Sequence, residues 1–94
     1  MQFVVIAYDG SDAGARDRRL AARTAHLENA RRMKKEGTLL TGGAILDDQG
    51  AMIGSVLVVD FPSRTEIDAW LASDAYVTGD VWRKVEARSF RVAV

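Results

Sequence analysis

Proton transfer near neutral pH has one natural carrier in this chain. His26 is the single histidine among 94 residues, and there is no cysteine. Imidazole is the one side chain whose ordinary pKa lies in that range. His26 sits in Arg23-Thr24-Ala25-His26-Leu27, within a stretch from Ala13 to Glu36 rich in good helix formers. On a helical wheel Ala22, Ala30 and Met33 fall close to the direction of His26, so the imidazole leans toward the buried side. Arg19 and Arg23 point roughly the same way. Burying an unpartnered imidazole costs on the order of 1–3 kcal/mol. A polar partner is therefore required.

Asp9, Asp12, Asp60 and Asp74 are the candidates. Asp9 and Asp12 lie in a turn and Asp60 ends a strand, positions that favour plain surface. Asp74 lies in Ser73-Asp74-Ala75-Tyr76-Val77, between the end of an element and an aromatic. On residues alone it is first an N-cap, accepting backbone N–H bonds for about 1 kcal/mol. The functional alternative is a carboxylate that holds the imidazole N–H, fixes its tautomer and raises its basicity. Ser55, after Gly54, can donate a hydroxyl into the same space, or simply occupy a strand edge. Tyr76 is a candidate pocket wall, whereas Trp70 fits a buried helix stripe with Ile67 and Leu71. Gly42-Gly43 inside a strand indicates a bulge or a ligand lying close to the backbone.

Other chemistries find little support. There is no G-x-S-x-G elbow for a Ser-His-Asp hydrolase. No phosphate loop or dinucleotide fingerprint occurs. One histidine without cysteine leaves only carboxylate-rich metal sites, and no ligand spacing repeats. Neither a metal nor a cofactor is expected.

The elements that must bring these residues together can be taken in order. Gln2–Tyr8 is a β-branched and aromatic run, hence a strand. Asp9-Gly10-Ser11-Asp12 is a turn, with Asp12 or Ser11 able to cap a helix running to Glu36. Gly37 stops that helix. Thr38–Leu46 and Met52–Phe61 form a hairpin about Asp47-Asp48-Gln49-Gly50. Ser63 and Glu66 fit a capping box for a helix from Arg64 to Ala72. Ser73-Asp74 breaks or re-caps it before a short turn through Val77, and Trp82–Val94 closes with a strand.

This order is the βαββαβ pattern of an α+β, ferredoxin-like fold: a four-stranded antiparallel sheet with two helices on one face. In Val4-Val5-Ile6 and Val56-Leu57-Val58-Val59, consecutive apolar residues point to opposite faces of the sheet. A sheet with one wet face alternates apolar and polar residues, and these strands do not. The face without helices is therefore expected to pack on a second copy, as a homodimer.

Residues 1–94 have room for one domain. No apolar run approaches the ~20 residues of a membrane span, and the N-terminus lacks a signal-peptide pattern. A cytoplasmic protein is expected. Thirteen basic residues balance thirteen acidic ones, but Arg16–Glu36 carries eight basic against three acidic. Such a helix could steer anions or dock on nucleic acid. A solvated helix surface is the favoured explanation, and the aliphatic strand centres argue against base stacking. No nucleic-acid partner is expected.

The chain resembles the YciI-like family of small bacterial proteins. The resemblance rests on Phe3-Val4-Val5-Ile6-Ala7-Tyr8, Arg23-Thr24-Ala25-His26-Leu27 and Glu36-Gly37-Thr38-Leu39-Leu40-Thr41-Gly42-Gly43. It continues through Gly54-Ser55-Val56, Ala69-Trp70 and Ser73-Asp74-Ala75-Tyr76-Val77. It implies a dimeric α+β barrel and an active site centred on a histidine and an aspartate, which fall here on His26 and Asp74. That moves the balance for Asp74 toward the functional alternative. A related enzyme eliminates chloride from a chlorinated aromatic, and related barrels include lactone isomerases and monooxygenases that need no cofactor. Thr24 and Ala75 stand where the family commonly has proline, which bears on pocket shape. The resulting expectation is a cofactor-independent enzyme of elimination, isomerisation or hydrolysis. In it His26 and Asp74 are catalytic, while Arg23, Ser55 and Tyr76 bind a small polar or anionic molecule. The alternative is a non-catalytic ligand-binding or accessory homodimer.

Overall fold

The computed structural model describes residues 1–94. The elements are β1 (Gln2–Asp9), α1 (Ala15–Glu36), β2 (Leu39–Leu46), β3 (Met52–Asp60), α2 (Arg64–Ser73), α3 (Ala75–Thr78) and β4 (Trp82–Ser89). The strands form one antiparallel sheet in the order β2-β3-β1-β4. That is the ferredoxin-like arrangement, with α3 added as a single turn. No helix is long and apolar enough to cross a membrane.

Alternation decides what each face of the sheet carries. Phe3, Val5 and Ala7 pair with Val59, Leu57 and Ser55 and face the helices, all buried. Leu39, Met33, Ile67, Trp70, Tyr76, Val81 and Trp82 complete one core with them. The opposite face carries Val4, Ile6 and Tyr8 beside Val58, Val56 and Gly54. Val4, Ile6 and Val56 are half-buried and Tyr8 is exposed, so this second face is also apolar.

Local rules account for most boundaries. Gly37 ends α1 in the left-handed conformation, φ 86°, which glycine adopts without strain. Ser63 accepts from the Glu66 N–H at 3.3 Å and starts α2. The start of α1 differs from expectation. Its N-cap is Gly14, with no side-chain cap, because the Asp12 carboxylate is taken by the Arg18 guanidinium at 2.7 and 2.8 Å. The last strand also ends early, at Ser89. Lys84, Glu86 and Arg88 occupy the outer face and Val85 and Ala87 the inner one. Phe90, Val92 and Val94 break that parity, and strand pairing stops where they begin.

The ladders shift register at three places, and two of these bulges change which residues of β2 and β4 face the helices. Leu39 pairs with Val59 but Thr41 with Val58, so Leu40 is an extra residue. The expected irregularity at Gly42-Gly43 thus lies two residues earlier, and the glycines are regularly paired with Leu57 and Val56. The Leu40 bulge turns Gly42 and Ala44 inward. In the second, Tyr8 pairs with Lys84 but Asp9 with Trp82, which leaves Arg83 over. Strict alternation would send Trp82 outward with Lys84; the bulge turns it inward, 6% exposed.

Candidate active site

The buried stripe of α1 runs Ala15, Arg19, Ala22, His26, Ala30, Met33, a spacing of three and four residues. Two of its six positions are a cation and an imidazole. Neither belongs in an apolar core without partners, so their neighbours define a polar site.

His26 Nδ1 lies 2.8 Å from Asp74 Oδ1, with side-chain exposures of 8% and 2%. A carboxylate only accepts, so Nδ1 carries the proton and Nε2 is the ring atom left for a ligand. No bond within the chain occupies Nε2. Asp74 separates α2 from α3, and the same Oδ1 accepts the Tyr76 N–H at 2.9 Å. The cap and the imidazole partner, two readings of one residue, are made by a single oxygen. Ala75 opens α3, where a helix N–H has no intrahelical partner. Asp74 is extended there (φ −63°, ψ 139°), as a residue before proline would be. Alanine in place of proline therefore leaves the carboxylate where it is. Thr24 lies on the exposed side of α1.

Tyr76 stacks on His26 with ring centroids 3.8 Å apart, and the Arg19 guanidinium lies 4.8 Å from the Tyr76 centroid. Arg19 and His26 are two helical turns apart, about 10 Å along the axis, an interval a ring can enter. Burial pushes the Tyr76 phenol above its ordinary pKa, and the Arg19 and Arg23 cations oppose that. The phenol therefore stays a proton donor at neutral pH.

Asp9, expected at the surface, turns its side chain into the core. Both of its oxygens accept from Arg19 Nη1 at 2.9 Å, and each side chain is 5% exposed. Arg19 Nη2 donates to Ser55 Oγ at 3.1 Å, and the Trp82 indole N–H donates to the same oxygen at 3.1 Å. Ser55 is an interior strand residue, 3% exposed. Gly54 before it has no room for a side chain: a Cβ would sit 2.4 Å from the Ala7 carbonyl oxygen.

These groups border a cavity of about 160 Å³ whose walls include Arg19, Arg23, His26, Ser55 and Tyr76. Gly42, Gly43 and Ala44 of β2 form a wall without bulk. Arg19 also borders a cleft of about 290 Å³ between the β1–α1 loop and the β2–β3 turn. Arg23 is exposed at the rim rather than aligned with His26. Asp12 lies with Arg18 outside, and Asp60 binds the N-terminal ammonium at 3.0 Å. Nowhere do three His, Asp or Glu side chains converge as a metal would require. Arg19 and Trp82 were not among the candidates, and Asp9 was named as a possible partner of His26 but set aside as plain surface. The wheel hinted at Arg19, but only the Arg83 bulge explains Trp82.

The geometry is that of a ferredoxin-like α+β domain with an imidazole and its carboxylate walled into a small cavity. The chain belongs to the YCII-related domain family, whose model matches residues 1–91. An uncharacterised protein of Haemophilus influenzae is 29% identical over 97 residues, covering 97% of each chain. Three solved structures are similar in fold. The 5-chloro-2-hydroxyhydroquinone dehydrochlorinase of Burkholderia phenoliruptrix, in complex with 2,5-dihydroxybenzoquinone, is 21% identical with TM-score 0.84, over 99% of this chain and 96% of that one. Rv0793 from Mycobacterium tuberculosis is 17% identical with TM-score 0.64, over 99% and 98%. A dimeric ferredoxin-like protein from Jannaschia is 13% identical with TM-score 0.53, over 97% and 98%.

Proposed function

We propose that residues 1–94 act as one domain, a cofactor-independent enzyme performing elimination, isomerisation or hydrolysis on a small polar or anionic molecule. His26 is the general acid and base through Nε2, and Asp74 holds its other nitrogen. Arg23 meets the ligand at the rim, with Ser55 and Tyr76 at the walls. The observation that carries this is the buried 2.8 Å contact between His26 and Asp74 beside a cavity. Acid–base help of this kind contributes about 10²–10⁴-fold. Dehydrochlorination by the Burkholderia neighbour belongs to the same reaction class and supports the reading. With a turned-over substrate in hand, His26→Gln should lower kcat by that factor while thermal unfolding stays near wild type. Equal turnover would refute the role.

The working form is a homodimer joined through the outer face at Val4, Ile6, Val56 and Val58, in the cytoplasm, where a chain without cysteine is at no disadvantage. Sedimentation at micromolar concentration should give twice the 10.3 kDa chain mass; a monomer alone would exclude it. A second reading is favoured by the cap that Asp74 Oδ1 makes to Tyr76. In it the domain is a non-catalytic ligand-binding or accessory dimer and the contact is structural. His26 ring resonances that ignore every ligand bound in the cavity would select it.

A further inference from the structure

Ser55 Oγ has two lone pairs and one proton. Both lone pairs are engaged, by Arg19 Nη2 and by Trp82 Nε1, each at 3.1 Å. The proton has no acceptor within the chain, and Ser55 borders the cavity. A hydroxyl held in this way cannot accept from a ligand. It can only donate, and the charged donor behind it polarises the O–H further. The Tyr76 hydroxyl makes no bond within the chain either, and burial keeps its proton on.

We propose that Ser55, held as an obligate donor by Arg19 and Trp82, is the oxyanion-binding group of this cavity, and that the substrate is an enolisable carbonyl or phenolic compound. The inference rests on the acid–base reading of His26 and specifies the other half of the chemistry. His26 Nε2 takes the proton from a carbon next to the carbonyl. The C–H electron pair becomes the new C=C bond, and the carbonyl π pair moves onto oxygen, where Ser55 meets the developing charge. For a substrate with a second, conjugated double bond, the oxygen pair then re-forms the carbonyl, the C=C pairs shift by one bond, and the terminal carbon takes the imidazolium proton. Alternatively, the oxygen pair re-forms the carbonyl as a leaving anion departs with the bonding pair at the vinylogous carbon, and the imidazolium proton passes to solvent. Both routes close without oxidant or cofactor. Arg19, which also borders the cavity, acts here as a positioning residue through Ser55.

4-Nitrophenol is a suitable probe, because its absorbance separates phenol from phenolate and it needs no turnover. Wild-type protein should bind the phenolate about tenfold or more tighter than the phenol, the scale of one hydrogen bond to a charge. Ser55→Ala should erase the preference and Ser55→Thr keep it. Trp82→Phe, which frees one lone pair on Ser55, should weaken it while the fold, followed by near-UV circular dichroism, persists. His26→Gln should leave the preference standing. Equal binding of the two forms, no binding at millimolar probe, or a preference unmoved by Ser55→Ala would each overturn the proposal. So would a preference lost in His26→Gln, since the imidazolium would then be the anion's partner. Failure of the acid–base reading shows separately, as turnover indifferent to His26→Gln with the phenolate preference intact.

Discussion

Two neighbouring arginines each pair with an aspartate, in opposite surroundings. Arg18 grips Asp12 with two nitrogens at 2.7 and 2.8 Å, and the side chains are 25% and 50% exposed. Arg19 grips both oxygens of Asp9 at 2.9 Å, and each side chain is 5% exposed. One helical step of about 100° separates water from core. The outer pair fastens the β1–α1 loop, and Arg18 Nε also reaches the Asp80 carbonyl at 3.0 Å. The inner pair ends at Ser55 and the cavity. The same two residue types thus yield a surface clasp in one place and a wall of the candidate site in the other.

The largest test of this contrast is stability. Arg19→Met leaves the Asp9 side chain buried and unpaired and should cost about 3–5 kcal/mol in urea unfolding. Arg18→Met should cost far less in the same assay, because its partner is exposed. Equal losses would dissolve the distinction. Next, the double change Arg19→Met with Asp9→Leu should recover most of the loss, because it removes both buried charges together. A loss equal to the sum of the two single changes would mean that the residues are not coupled.

A smaller effect is spectroscopic. Arg19 is among the charges that lower the Tyr76 pKa against burial, and Arg18 is not. Arg19→Met should therefore raise the tyrosinate transition further in ultraviolet titration, and Arg18→Met should leave it in place. The sign for stability follows from the same shift. Above pH 10.0 the unfolded phenol ionises while Tyr76 holds its proton, so stability falls there. Tyr76→Phe removes that part of the decline, which alkaline unfolding curves would show.

The smallest effect belongs to the outer pair. Arg18 holds the Asp12 carboxyl well below the usual carboxylate range. Its contribution is complete above the unfolded value of 3.8 and fades as pH falls toward the folded one. The difference in Tm between wild type and Asp12→Asn should be slight at neutral pH. It should shrink in acid, and also in molar salt, which screens exposed charges.

Much of the architecture was legible because local rules govern it. The doubly apolar Val4-Val5-Ile6, the stop at Gly37 and the Ser63 cap each depend on a few adjacent residues. The wheel asked for a polar partner for His26, but the residues alone favoured a cap for Asp74, and it was the family resemblance that pointed to the pair. Asp9 was not, because its turn context says surface and only the packing of Arg19 against β1 reverses that. Asp12 or Ser11 was expected to cap α1, and Arg18 takes the Asp12 carboxylate instead. Trp82 looked like the first residue of a strand, and nothing local announces the bulge that redirects its indole to Ser55.

That bulge also makes residue count a determinant of what lines the cavity. Between Val81 and Lys84 the ladder carries one residue more than its partner strand. Removing Arg83 would close the bulge with Trp82 still opposite Asp9 and its indole still inward, whereas one residue added to β1 between Tyr8 and Asp9 would pair with Arg83 and swing the indole to the opposite side. Ser55 would then lose one of its two donors and regain the freedom to accept. In this architecture a single-codon insertion in a central strand retunes a hydroxyl on the neighbouring strand without altering any residue that touches the ligand.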